Sequence, residues 1–159
     1  METLIATLIA WIVARTELGA PDPPRIVFVP KHQINELYRG VTNGEREPQT
    51  MLSNIKGARN PNDPAGVQAL YIRADRTIYL QQNWRPVGLR NQSILLHELV
   101  HHVQRFNHVN ASCPGSLEKR AYDLQAAWLR EHGVADPYQL MGPDQFTVAI
   151  LAMCMPDDL

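Results

Sequence analysis

An α+β fold in one domain is predicted by three features of the sequence. Apolar positions recur at helical spacing toward both ends, short β-branched runs lie between them, and the chain is 159 residues long. That length suits a single compact domain over residues 1–159 with a core of its own. Apolar residues make up 45% and charged residues 19%, the balance of a globular protein rather than a disordered or fibrous one.

The elements follow in order. Leu4, Ile5, Leu8, Ile9, Trp11 and Ile12 suit a helix facing a core. The apolar stretch Leu4 to Ala14 falls short of the about 20 residues that cross a bilayer, so no membrane span is expected. The core of a secretory signal is the alternative, although Met1-Glu2 supplies no positive charge ahead of it. Gly19 and Pro21-Asp22-Pro23-Pro24 stop this helix near Leu18. Arg25 to Val29 is β-branched and aromatic, a strand closed by Pro30. A short helix over Gln33 to Tyr38 ends at Gly40.

Residues 41–66 read as a long polar loop, with some strand around Met51 to Ile55. Val67 to Ile72 and Thr77 to Gln82 form a hairpin across Arg73-Ala74-Asp75-Arg76. Ser93 to Asn107 is helical, with apolar residues at Ile94, Leu95, Leu99, Val100 and Val103. Ser116 caps a further helix over Leu117 to His132, which Gly133 ends. Phe146 to Met153 is a last helical segment. The small sheet, mixed or antiparallel, then packs on two central helices.

Charge excludes some functions. Fifteen basic residues face sixteen acidic ones, net −1, with no basic stripe, so neither nucleic acid nor anionic lipid is an expected partner. Cys113 and Cys154 are too few for a metal quartet and lack redox spacing. They are either buried thiols or one disulfide, which would favour an exported protein. The compartment is left open.

The chemistry is carried by His97-Glu98-Leu99-Val100-His101. Histidines four apart on a helix project from one face and can share a metal ion. Zinc suits neutral imidazole nitrogen, and a catalytic zinc keeps one position for water. Glu98 lies beside that position, placed to take a proton from zinc-bound water and pass it to a leaving amine. The expected reaction is zinc-dependent hydrolysis of an amide. A structural zinc site would want four Cys or His ligands at spacings that are absent here.

A third protein ligand must come from elsewhere. Metzincins place a histidine at the end of HExxHxxGxxH, whereas this chain continues from His101 as His-Val-Gln-Arg-Phe-Asn. The next helix offers Glu118, with Asp123 as its rival; Asp123 would otherwise orient a histidine from behind. Ala121 and Tyr122 share the face of Glu118, the alanine permitting close helix approach.

Through His97, Glu98, His101, Glu118 and Ala121 the chain resembles the gluzincin metallopeptidases, in particular the compact minigluzincin type. The resemblance covers roughly residues 77–130. It implies a reduced gluzincin domain with zinc held by His97, His101 and Glu118, Glu98 as general base, and a peptide or protein substrate. It further implies a histidine or tyrosine that stabilises the oxyanion, for which Tyr122 and His102 are the candidates. It also implies an edge strand ahead of the motif that binds peptide backbone. Thr77 to Trp84 is that candidate, with Gln81, Gln82 and Asn83 polar enough for an open edge. The alternative there is an ordinary half-buried strand.

By its position on the helix His102 is expected at the surface or behind a ligand, and His32, His108 and His132 have no assigned role. Trp84 and Trp128 are expected in the core. A second function class stands beside the peptidase: a metal-binding or recognition module that keeps the scaffold without efficient turnover.

Overall fold

A computed structural model describes residues 1–44, 67–111, 113–142, 144–151 and 153. Within them the chain is α+β. In order run α1 (Glu2–Thr16), β1 (Arg25–Val29), α2 (Lys31–Gly44), β2 (Ala69–Ile72), β3 (Thr77–Gln81), α3 (Gly88–Phe106), α4 (Pro114–Glu131), α5 (Pro137–Met141) and α6 (Gln145–Leu151). The expectation of strand around Met51 to Ile55 lies outside the described residues.

The three strands form one mixed sheet in the order β1-β3-β2. β1 runs parallel to β3, with Val27 opposite Tyr79, and β2 runs antiparallel to β3, with Tyr71 opposite Ile78. The hairpin of β2 and β3 is as expected, but β3 is the central strand and not an edge. Gln81 is buried, its side-chain amide donating to the Val67 carbonyl at 2.7 Å, so its polarity serves an internal bond. Among the described residues the edge strand beside the metal-motif helix is β2.

Side chains alternate across a strand, and here each face meets its own core. Ala69, Tyr71, Ile78 and Leu80 pack with α1, α3 and α4 in the larger cluster. Leu70 and Val29 face the other way, onto Ile34 and Tyr38 of α2. The sheet is therefore covered on both faces, with α3 in the larger layer between α1, α4 and β2. Trp84 and Trp128 are buried there as expected.

α1 is a packed element that buries Ile5, Leu8, Ile9 and Ile12. It ends earlier than the glycine suggests, because Glu17 adopts the left-handed conformation (φ 56°) and its N–H donates to the Val13 carbonyl. Gly19 has a different task. Its N–H donates to Asn107 Oδ1 at 2.7 Å and its carbonyl accepts from Asn107 Nδ2 at 2.8 Å, clasping the end of α1 to the end of α3. A Cβ at Gly19 would lie 3.1 Å from that Oδ1, so the approach favours glycine.

Other helix boundaries also differ from expectation. α2 continues through Gly40, since one glycine costs only about 1 kcal/mol and the helix has a packed face to offset it. α3 begins at Gly88, so Ser93 is internal, its hydroxyl donating to the Arg90 carbonyl. α4 begins at Pro114, whose missing N–H is no loss in a first turn. Ser116 therefore sits inside that turn and donates to the carbonyl of Cys113, the true N-cap. The Cys113 sulfur is in a disulfide, and Cys154, the chain's other cysteine, lies outside the described residues. α5 was not anticipated; Asp136 caps it by accepting from the Tyr138 N–H. Among the described residues no helix is long and apolar enough to cross a membrane.

Candidate metal centre

α3 and α4 pack side by side and each presents residues at i, i+4 and i+7 to the other. From α3 these are His97, His101 and Gln104; from α4 they are Glu118, Tyr122 and Gln125. Ala121, fully buried between them, leaves room for the approach.

The sequence-predicted ligands are brought together. His97 Nε2 lies 3.2 Å from His101 Nε2. Glu118 spans the pair, with Oε2 3.3 Å from His97 Nε2 and Oε1 3.2 Å from His101 Nε2. An ion bonded tetrahedrally at 2.0–2.1 Å separates its ligand atoms by about 3.3–3.4 Å. The observed separations are close to that edge length. Both histidines are buried, whereas 27% of the Glu118 side chain is exposed, so the centre reaches solvent past the carboxylate.

The outer ring nitrogens fix the tautomers. Gln104 Nε2 donates to the Leu117 carbonyl at 3.1 Å, so its Oε1 must accept, and His101 Nδ1, 3.0 Å away, must carry a proton. On the other side the Ser93 hydroxyl spends its hydrogen on the Arg90 carbonyl and accepts from Gln125 Nε2 at 3.1 Å. Gln125 Oε1 therefore accepts from His97 Nδ1 at 3.1 Å. In the neutral rings both Nε2 atoms then carry lone pairs that face one another and a carboxylate. Such a cluster of acceptors is repulsive unless a cation or protons fill it, and it suits a divalent metal. His97, His101 and Glu118 thus form a group that can hold a metal ion.

Glu98 and His102 are a second i, i+4 pair, turned about 100° from the first and facing β2. Glu98 is 1% exposed, and its Oε2 accepts from the Tyr71 N–H at 2.9 Å, on the side of β2 away from β3. His102 is not a surface residue. It is buried, with Nε2 donating to the Asp22 carbonyl at 2.9 Å and Nδ1 3.2 Å from the Tyr71 hydroxyl, which must therefore donate. Burial holds the His102 pKa below the usual histidine range, only partly opposed by the bond to Asp22. Its nitrogens are committed to the sheet side, away from a ligand role.

Tyr122 is buried with its ring edge-on to His97, the centroids 4.5 Å apart. Asp123 is exposed and pairs with Lys119 on the outer face of α4, which removes it as the rival ligand. His32 and His108 are exposed, and His132, also exposed, stacks on Trp128 with Nδ1 donating to that residue's carbonyl.

The chain belongs to the DUF6647 family. That family is described as a domain of unknown function, and its model matches residues 1–159. No curated protein and no solved structure matches the chain.

Sequence reasoning missed Ser93, Gln104, Gln125 and Tyr71. The two glutamines did carry a local signal, since each stands at i+7 from a predicted ligand on its own helix. Nothing local marks the Tyr71 amide, because its role depends on where β2 lies.

Proposed function

We propose that this protein is a zinc-dependent metallopeptidase of gluzincin type, with His97, His101 and Glu118 holding the metal. The observation that carries this reading is the convergence of two imidazole nitrogens and one carboxylate, each nitrogen 3.2–3.3 Å from the other and from one carboxylate oxygen, with both imidazoles fixed to present Nε2. Two imidazoles and one carboxylate are a donor set that zinc accepts, and one position is left for water or substrate. When bound, zinc makes a water acidic and polarises the scissile carbonyl.

The chain's own groups do the rest. Glu98 takes the proton of the attacking water and returns it to the leaving amine, and the Tyr71 N–H holds its carboxylate in place for both transfers. Gln104 and Gln125 keep the ligand rings from turning. Tyr122, packed on His97, is the candidate donor to the developing oxyanion. With β3 central, β2 is the edge strand along which an extended peptide would lie.

A metal-binding module without turnover is the second reading. One observation favours it: an oxygen of Glu98 is committed to the Tyr71 amide. Zinc content and peptide hydrolysis of the wild type, Glu98→Gln, Glu118→Ala and Asp123→Ala separate the two. The peptidase reading expects Glu98→Gln to keep zinc and lose turnover, Glu118→Ala to lose zinc, and Asp123→Ala to keep both. Equal turnover with Glu98→Gln sinks the mechanism, and a wild type without zinc sinks the site.

A further inference from the structure

A cavity of about 440 Å³ opens where the β2–β3 turn meets the end of α3. Arg73, Gln104, Arg105 and His108 line it, and among the described residues no acidic side chain does. Among the described residues neither Arg73 nor Arg105 has an ion-pair partner. The neighbouring cavity shares Arg105 and adds Arg25 and Arg76, but there Asp22 and Asp75 offset two of the three arginines. The C-terminal end of α3 contributes only about half a negative charge there, less than two guanidinium groups supply.

This cavity adjoins the metal centre through a shared wall. Gln104 lines it and also accepts from His101. Arg105 stands one helical turn beyond His101, about 6 Å along the axis. An extended peptide advances about 3.3 Å per residue, so the same span is about two residues of substrate.

We propose that Arg73 and Arg105 bind a substrate carboxylate, selecting peptides that carry a negative charge about two residues from the bond to be cut. This rests on the peptidase reading and adds a substrate class to it. Guanidinium groups suit the role because their forked N–H donors match a carboxylate's two oxygens. The carboxylate is either the peptide's C-terminus or an acidic side chain.

Three probes distinguish these sources: acetyl-dialanine as the free acid, the same dipeptide as its carboxamide, and acetyl-alanyl-glutamate carboxamide. Each is titrated by NMR into the full chain, as purified and after chelation, which makes the result independent of metal and turnover. The expected result is that one or both acids bind about tenfold or more tightly than the neutral amide, an advantage that weakens as salt rises. The double variant Arg73→Gln/Arg105→Gln removes that preference, and Arg73→Lys/Arg105→Lys retains part of it. Equal affinity for all three probes overturns the proposal, as does a preference that survives the glutamine pair. Carboxylate preference without hydrolysis of any peptide would leave this cavity's role standing and refute the peptidase reading. Hydrolysis without the preference would do the reverse.

Discussion

The two glutamines behind the ligand histidines make opposite predictions for the same substitution. Gln104→Glu keeps an acceptor for His101 Nδ1 but replaces the amide that donates to the Leu117 carbonyl. That carbonyl cannot donate, so two oxygens face each other about 3 Å apart in a site where Gln104 is 2% exposed. A lost buried bond and a stranded acceptor cost about 2 kcal/mol, a fall in Tm of about 4–8 °C for a chain of this size. Gln125→Glu meets Ser93 instead, and a hydroxyl rotates. It gives up the Arg90 carbonyl, which keeps its place in the helix ladder, and donates to the new carboxylate.

Gln125→Glu should therefore melt within about 2 °C of the wild type. It should also hold zinc at least as tightly, because a carboxylate behind a ligand imidazole raises its basicity. Thermal unfolding of the metal-free proteins, with zinc affinity from chelator competition, reads both quantities. Burial and the facing carbonyl raise the folded-state pKa of the introduced carboxyl in Gln104→Glu, so as pH falls toward the unfolded value of about 4.3 it protonates, can donate to Leu117, and should recover much of the deficit relative to wild type. Equal melting of the two variants at neutral pH would refute the hydrogen-bond directions and, with them, the assigned tautomers.

Two further outcomes follow from the packing around the centre. His102 has a lowered pKa in the folded state, so the unfolded chain binds its proton first. Its contribution is present above about pH 6.5 and is lost as pH falls from there toward the folded pKa. Urea midpoints measured between pH 7.5 and 5 should fall more for wild type than for His102→Gln, and parallel slopes would contradict the assignment. Asn107→Leu removes the clasp on Gly19 and a bond to the Val103 carbonyl at a partly exposed site. It should lower stability by about 1 kcal/mol, and an unchanged urea midpoint would mean the clasp contributes nothing.

His97 and His101 were legible because helical spacing by itself sets which side chains share a face, whereas Glu118, on the next helix, was assigned as a ligand only through the gluzincin resemblance. The bounds of β1 were legible for a similar reason, a β-branched run stopped by proline. Strand order was not, since it is a pairing of distant segments. The one clue, β3 buried on both faces, was obscured by Thr77 and Gln81, polar residues whose bonds form only in the folded chain.

Of the HELVHH stretch, the sequence determined two histidines and a carboxylate on one helix and proposed their metal partner. Only the tertiary structure decided what each atom does there. Gln104 and Gln125 orient the imidazoles across the α3–α4 interface, and an amide of β2 holds Glu98. His102, expected at the surface or behind a ligand, is buried against Tyr71 and the carbonyl of Asp22. Periodicity specifies a direction from the helix axis; what waits in that direction is a matter of packing.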